Sequence, residues 1–306
     1  MWDAVVLRRA FLCAAPAIIA SGYPRFAISA DSEHEDDHDA HDQNLASRRI
    51  TGERHGGDII ADLLLSNSGR RLSESCSREG QAIRFSVDRA RKTFIPLRGK
   101  VIMVNVPGRF LVAYRNGEPE IEMNVMPGAP RTPTPELISQ VEYVRFNPTW
   151  TVPQSILRQP IWQDRLQRPN WLRDNGFSHS GGTLVQAPGL NNAMGVVKIR
   201  MRSAGNILLH DTNQPQGFDN PDAFESNGCV RLEKPMELAA WILGIPLSHA
   251  VRMQKSGDRR DHRDVSNVQA SLTYLTAWPT GNSEIEYYRD IYRKMGPENN
   301  LGCARR

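Results

Sequence analysis

The sequence predicts a mainly β fold with short helices, and three observations carry that prediction. Apolar runs of strand length, separated by turn dipeptides, fill the stretch from Val101 to Val125. A second set of such runs lies between Val141 and Leu209. Finally, 23 Gly and 20 Pro among 306 residues suit a loop-rich β protein better than a helical bundle.

In order, Val101–Val106, Phe110–Tyr114 and Ile121–Val125 are bounded by Pro107-Gly108 and Asn116-Gly117. Asn-Gly between two β-type runs signals a tight hairpin. Val141–Phe146, Val196–Ile199 and Ile207–Leu209 follow, punctuated by Pro148, Pro188-Gly189 and Gly205-Asn206, and complete one mostly antiparallel sheet system. His210 then stands at the end of a buried strand. Pro235–Gly244 reads as a short helix, with Pro at its start and Gly past its end, so Ser226–Leu232 feeds toward a helix N-terminus. Residues 268–278 read as a strand, and Ser283–Met295 as a short helix or an extended tail.

Residues 1–30 read as an export signal. Arg8 and Arg9 precede the apolar stretch Ala10–Ala20, which is too short to span a bilayer, and small residues follow at Ala20-Ser21-Gly22 and Ile28-Ser29-Ala30. Removal up to Ala30 is expected, placing the protein in the periplasm or cell envelope with no membrane span. Arg8-Arg9 fits a twin-arginine signal, with general secretion or an uncleaved anchor as alternatives. Residues 31–95 divide into an acidic, His-rich tail with almost nothing to bury, expected to be disordered, and a lead-in, 43–95, in which a short amphipathic piece around Ile59–Leu65 is followed by Ser- and Arg-rich sequence of weak periodicity, a poorly ordered arm or a small helical lead-in. The tail's His34, His38 and His41 are a solvated charged face or a loose metal site. A domain over 96–295 and a tail over 296–306 complete the chain.

Net charge is +4, with basic residues dispersed among acidic ones, a poor footprint for nucleic acid. Cys13, Cys76, Cys229 and Cys303 lack the spacing of a structural zinc site, and no Gly-rich phosphate loop is present, so no metal or organic cofactor is expected. Cys76 and Cys303 are disulfide partners or buried thiols.

The chemistry gathers at Ser226-Asn227-Gly228-Cys229-Val230-Arg231, with Cys229 19 residues after His210. A thiol needs a base, and His210 can accept its proton and return it to a leaving amine. Gly228 allows a sharp turn that aims the nearby amides at a developing oxyanion, and the planar fork of Arg231 suits a substrate carboxylate. Each residue also has an ordinary structural reading, as a buried thiol, a satisfied histidine or a solvated charge.

With these blocks in place, the chain from about Lys100 to about Tyr292 resembles the YkuD-type L,D-transpeptidases, in particular their YcbB-like branch. The matching pieces are Val104–Pro107, Arg131–Pro133, Phe146–Pro153, Gln186–Gly189 with Asn192–Gly195, Leu209–Thr212, Ser226–Arg231 and Tyr274–Trp278. The resemblance implies a β-sandwich with a lid-like insertion over 154–185, where an ordinary surface loop is the alternative. It implies Cys229 as nucleophile, His210 as base, and Asp211 orienting the imidazole through its carbonyl. Ser226, Asn227 and Gly228 would shape the loop and oxyanion hole, with Arg231 and Thr212 at the substrate. Two positions depart from the family pattern: Asn227 stands where a histidine or serine is common, and Asp222 where the branch carries arginine. The implied reaction is acylation of Cys229 by a peptidoglycan tetrapeptide stem, release of D-alanine, and transfer to an amine as a 3→3 cross-link. Hydrolysis, anchoring of an outer-membrane or wall-linked protein, and a silent wall-binding homologue are the alternatives. Carbapenems typically acylate such a cysteine.

Overall fold

The computed structural model describes residues 23–26, 54–69, 77–265, 267–280 and 283–296. Cys13, Cys76, Cys303, the acidic tail and the 296–306 tail past Gly296 lie outside them.

Strand β1 (Lys100–Asn105) pairs antiparallel with β2 (Phe110–Arg115), which pairs with β3 (Glu118–Met126). The β2–β3 turn is the predicted Asn116-Gly117, whose φ values of 50° and 82° are both positive, as a twist-matched two-residue hairpin requires. Strand β4 (Leu137–Phe146) joins β12 (Gln269–Thr273) through Leu137–Gln140 and β8 (Val197–Met201) through Val141–Phe146. A register shift between Val141 and Tyr143 marks the change of partner, since a bulge bends a strand from one sheet into another. At the far side, the end of β3 leaves β2 and pairs with β10 (Val230–Leu232), which lies beside β9 (Leu208–His210) and then β8. Two sheets sharing β3 and β4 thus enclose a core, the sandwich the resemblance implies. Two pairings, β1 with β12 and β9 with β10, are parallel.

The core explains why β1 and β2 read as unbroken apolar runs. Ile102, Val104, Leu111 and Ala113 point into the sandwich, while Val101, Met103, Phe110, Val112 and Tyr114 point outward. That outer face is covered by α1 (Gly56–Ser68), α2 (Arg78–Lys92) and β13 (Ala277–Pro279), so both faces are dry. Each fully buried aliphatic side chain contributes about 2 kcal/mol. Strand β3 keeps alternation: Met123 and Val125 face the core, and Asn124 is exposed.

Several boundaries differ from expectation. The 43–95 lead-in contains two ordered helices. Their buried faces set Ile60, Leu64, Ile83, Phe85 and Val87 among Gly56, Gly57, Ala82, Ser86 and Ala90, small residues that dilute the apolar pattern yet allow close packing. Ser77 caps α2 through Gly80 N–H at 3.0 Å, and His55 forms a reciprocal capping box with Asp58. Tyr23–Phe26, inside the segment expected to be removed, also packs here. Phe26 is 1 % exposed and its N–H donates to the Gly117 carbonyl at 2.9 Å. A cut after Ala30 removes this contact, whereas a cut at Ala20-Ser21-Gly22 keeps it. Residues 268–278 divide into β12 and β13, and the last segment forms β14 (Ile285–Tyr287) against β13 rather than a helix. The predicted helix is α6 (Pro235–Leu243), ended by Gly244 at φ 66°, but strand β10 separates it from Cys229. No helix among the described residues is long and apolar enough to cross a membrane.

Candidate active site

Strands β9 and β10 run parallel with Leu209 opposite Val230 and His210 opposite Arg231. Alternation sends Leu209, Val230 and Leu232 into the core, all at 0 % exposure, and turns His210 and Arg231 to the other face. Cys229, just before β10, opens on that same face. Cys229, His210 and Arg231 therefore line one cavity of about 580 Å³.

The turn carrying Cys229 is fixed by its carbonyls. Gly228 has φ 97°, a conformation that favours glycine, and a Cβ there would also sit 3.1 Å from Ile207 Cδ1, a tight contact that the isoleucine would have to yield to. The Gly228 carbonyl accepts from Thr134 Oγ1 at 2.9 Å, and Thr134 Oγ1 in turn accepts from Gly128 N–H at 2.8 Å. The Ser226 hydroxyl donates to the Cys229 carbonyl. The Ser226 carbonyl accepts from Ala129 N–H and Thr132 Oγ1, both at 2.9 Å. Tyr292 braces the same loop by donating to the Gly128 carbonyl at 2.6 Å.

The His210 ring is buried, and its Nδ1 lies 2.5 Å from the Asp211 carbonyl. A carbonyl only accepts, so Nδ1 carries the proton and the Nε2 lone pair is left free. Burial, then the Arg231 guanidinium, lowers its pKa to about 4. Burial also raises the Cys229 thiol, opposed by the Leu208 amide and the Arg231 and Arg200 charges. The resting pair is therefore a neutral thiol and a neutral imidazole. The thiol donates weakly to the Asn206 carbonyl at 3.5 Å.

Asp211 is held by more than its carbonyl. Its carboxylate accepts from Val196 N–H at 2.9 Å and fills the space where a Cβ on Gly195 would stand, 2.3 Å from the carboxyl carbon. The glycine after Asn192-Ala193-Met194 thus makes room for the residue that orients the histidine. Asn192, 1 % exposed, donates to the carbonyls of Pro148, Gln186 and Ala187 and accepts from Met194 N–H. Gln186 donates to the Asn175 and Asn191 carbonyls.

These amides fasten the inserted layer to the sandwich. It comprises β5 (Trp150–Thr151), helices α3 (Gln154–Leu157), α4 (Pro160–Leu166) and α5 (Pro169–Asp174), and strands β6 (Phe177–Ser180) and β7 (Thr183–Gln186). Val152, Ile156, Trp162, Leu172, Phe177 and Leu184 give it a small core of its own. It forms one wall of the cavity and reaches the Cys229 loop where Gln159 Nε2 donates to Asn227 Oδ1 at 3.4 Å.

A sequence profile of the L,D-transpeptidase catalytic domain, YkuD, matches residues 99–265. The chain belongs to the YkuD family. A Haemophilus influenzae protein provisionally named an L,D-transpeptidase is 28 % identical over 233 residues, covering 68 % of this chain and 47 % of its own length. The chain thus spans about half of that relative. Among solved structures, an L,D-transpeptidase from Mycobacterium smegmatis is similar at 15 % identity and TM-score 0.31, covering 57 % of this chain and 58 % of that one. L,D-transpeptidase 3 from Mycobacterium tuberculosis is similar at 11 % identity and TM-score 0.33, covering 57 % and 61 %.

Of the residues singled out in the sequence, Cys229, His210, Arg231, Ser226 and Asn227 line the cavity, and Asp211 and Gly228 support them from behind. Thr212 does not line it: the residue is buried, and its hydroxyl closes a local turn by accepting from Gln214 N–H at 3.1 Å. Asp222 is on the surface, paired with Arg289 at 2.8 Å, and is likewise outside the lining. Sequence reasoning missed Asn206, Asn213 and Gln214 in the lining and the bracing Thr134 and Tyr292. Thr134 and Asn213 had a signal, being next to the Arg131–Pro133 and Leu209–Thr212 blocks.

Proposed function

We propose that this chain is an exported L,D-transpeptidase in which Cys229 forms an acyl-enzyme with a peptidoglycan tetrapeptide stem. The observation that carries the proposal is the placement of Cys229, on the turn that leads into β10, and His210, on the adjacent parallel strand β9, in the lining of one cavity. The insertion, in the place where the YcbB-like branch has its lid, supports membership of that branch. Arg8-Arg9 and the apolar stretch behind them support export to the periplasm.

Cys229 Sγ attacks the carbonyl carbon at the L-centre of stem residue three while its proton passes to His210 Nε2. The imidazolium charge is then stabilised by the Asp211 carbonyl on Nδ1–H. The oxyanion is assigned to the amides of Gly228 and Cys229, on the turn that Thr134 and Ser226 hold. Collapse breaks the C–N bond, Nε2–H protonates the departing D-alanine amine, and a thioester remains. An amine of a second stem attacks the thioester carbonyl, the new C–N bond forms as the C–Sγ bond breaks, the amine's proton passes through Nε2 to the departing Sγ, and a 3→3 cross-link and free thiol result. Neutral starting groups suit this route, because charge separates only as the Sγ–C bond forms.

Incubation with disaccharide-tetrapeptide, followed by mass spectrometry, tests the proposal. D-alanine release with dimer formation is expected. Release with monomeric tripeptide assigns hydrolysis instead, and unchanged activity in Cys229→Ala overturns the mechanism.

A further inference from the structure

The cavity carries an imbalance of charge that the acyl-transfer steps do not use. Among the described residues no Asp or Glu lines it, while two guanidinium groups do: Arg231 beside the thiol and Arg165 on helix α4 of the insertion. The Arg165 guanidinium lies 4.9 Å from the Trp162 ring centroid and 4.8 Å from that of Trp171, and the two rings meet edge to face at 81°. Trp162 is 6 % exposed and belongs to the insertion's own core, against which Trp171 packs. The adjacent acid, Asp164, is already taken by Arg168 at 2.8 Å. Among the described residues Arg165 has no carboxylate partner.

A guanidinium held against aromatic faces keeps the edge of its planar donor fork free, and that edge matches a carboxylate with two parallel hydrogen bonds. Such a group in a cavity wall, with no internal carboxylate partner among the described residues, can receive an anion from a ligand. Arg231 stands two residues from the thiol, and Arg165 stands on the inserted layer.

We propose that Arg165 is a specificity-determining residue that reads a free carboxylate on the retained part of the donor stem, so that stems amidated there are poor donors. The inference rests on the transpeptidase reading above. Two stem positions offer the required chemistry: the D-centre of the diamino acid and the α-carboxylate of the γ-linked glutamate. Each becomes a neutral carboxamide on amidation, and a carboxamide cannot form the charge-assisted bidentate pair.

The test uses disaccharide-tetrapeptides with both carboxylates free, with only the diamino acid amidated, and with only the glutamate amidated, offered to the wild type, Arg165→Gln and Arg165→Lys. Loss of one charge-assisted pair is expected to raise KM roughly 10- to 100-fold. Arg165→Gln is expected to show that rise on the free stem with kcat little changed, and no further rise on the stem whose amidation removes the same contact. Arg165→Lys, which keeps the charge and loses the fork, should fall between. Whichever amidated stem the wild type discriminates against names the carboxylate. Alkylation of Cys229 by neutral iodoacetamide should proceed at nearly equal rates in all three proteins, showing that thiol and fold are intact. Equal use of free and amidated stems by the wild type overturns the inference alone, as does an Arg165→Gln defect of equal size on all three. If the wild type releases D-alanine from none of them, the transpeptidase reading falls and takes this inference with it.

Discussion

Burying His210 in its neutral form has a cost that pH can expose. The unfolded imidazole titrates near 6.5 and the folded one at about 4. Between those values the unfolded chain binds a proton that the folded chain refuses, so stability is full above pH 6.5 and falls as pH drops toward 4. Integrating the difference gives a loss of about 2.5 kcal/mol at pH 4.5 and less than about 0.1 kcal/mol at pH 7.5. Other carboxylates and histidines titrate in the same range, so the quantity to isolate is a difference between two proteins. His210→Gln has no titrating group at the position. Urea unfolding of wild type and variant at both pH values should show the wild type losing about 2.5 kcal/mol more than the variant on acidification. Parallel losses would mean that the imidazole charges freely inside the fold, and the neutral thiol–imidazole pair would be refuted. The same shift places the acid limb of kcat/KM at about 4, far below the limb near 6.5 of an ordinary imidazole base.

Further predictions concern the supports of the site. Gly228→Ala, at φ 97°, should cost about 1–3 kcal/mol in urea unfolding and slow carbapenem acylation of Cys229 at least roughly tenfold, because the turn must rotate to relieve the strain. Thr134→Val removes the donor to Gly228 O and the acceptor of Gly128 N–H, with an expected stability loss of about 1–3 kcal/mol that Thr134→Ser restores. Asn192→Leu leaves the buried carbonyls of Pro148 and Gln186, and the part-buried one of Ala187, without their shared donor, so limited proteolysis should cut within 154–185 faster than in the wild type. Deleting residues 1–30 exposes the site of Phe26 and should lower stability by up to about 3 kcal/mol against deletion of 1–22; equal midpoints would show that Tyr23–Phe26 does not dock.

The sequence was most legible where the physical signal is local. Asn116-Gly117 demands positive φ at two successive residues, and the paired apolar runs around it have no other economical arrangement. The cysteine–histidine pairing was also visible, because strand ends hold side chains where the chain order places them. What was hidden depends on contacts distant in sequence. Helices α1 and α2 bury small residues among their larger apolar ones, so their apolar pattern is diluted until the outer face of β1 and β2 is there to receive them. Strand β10 has three residues, too few for any alternation to show, and was read as a lead into the helix beyond it. Thr212 looks like Ser226 in sequence, yet one hydroxyl closes a turn and the other holds the Cys229 carbonyl. The isolation of Arg165 follows only from the pairing of its neighbour Asp164 with Arg168, which the string of charges does not reveal.

The central claim is that Cys229 carries the acyl group, with His210 moving its proton. Rapid acid quenching of the protein with disaccharide-tetrapeptide, then intact-mass analysis and peptide mapping, tests it most directly. The account predicts a disaccharide-tripeptide thioester on the peptide containing Cys229, absent in Cys229→Ala and slow to form in His210→Gln. D-alanine release by Cys229→Ala, or an acyl group mapped to any other residue, would contradict it.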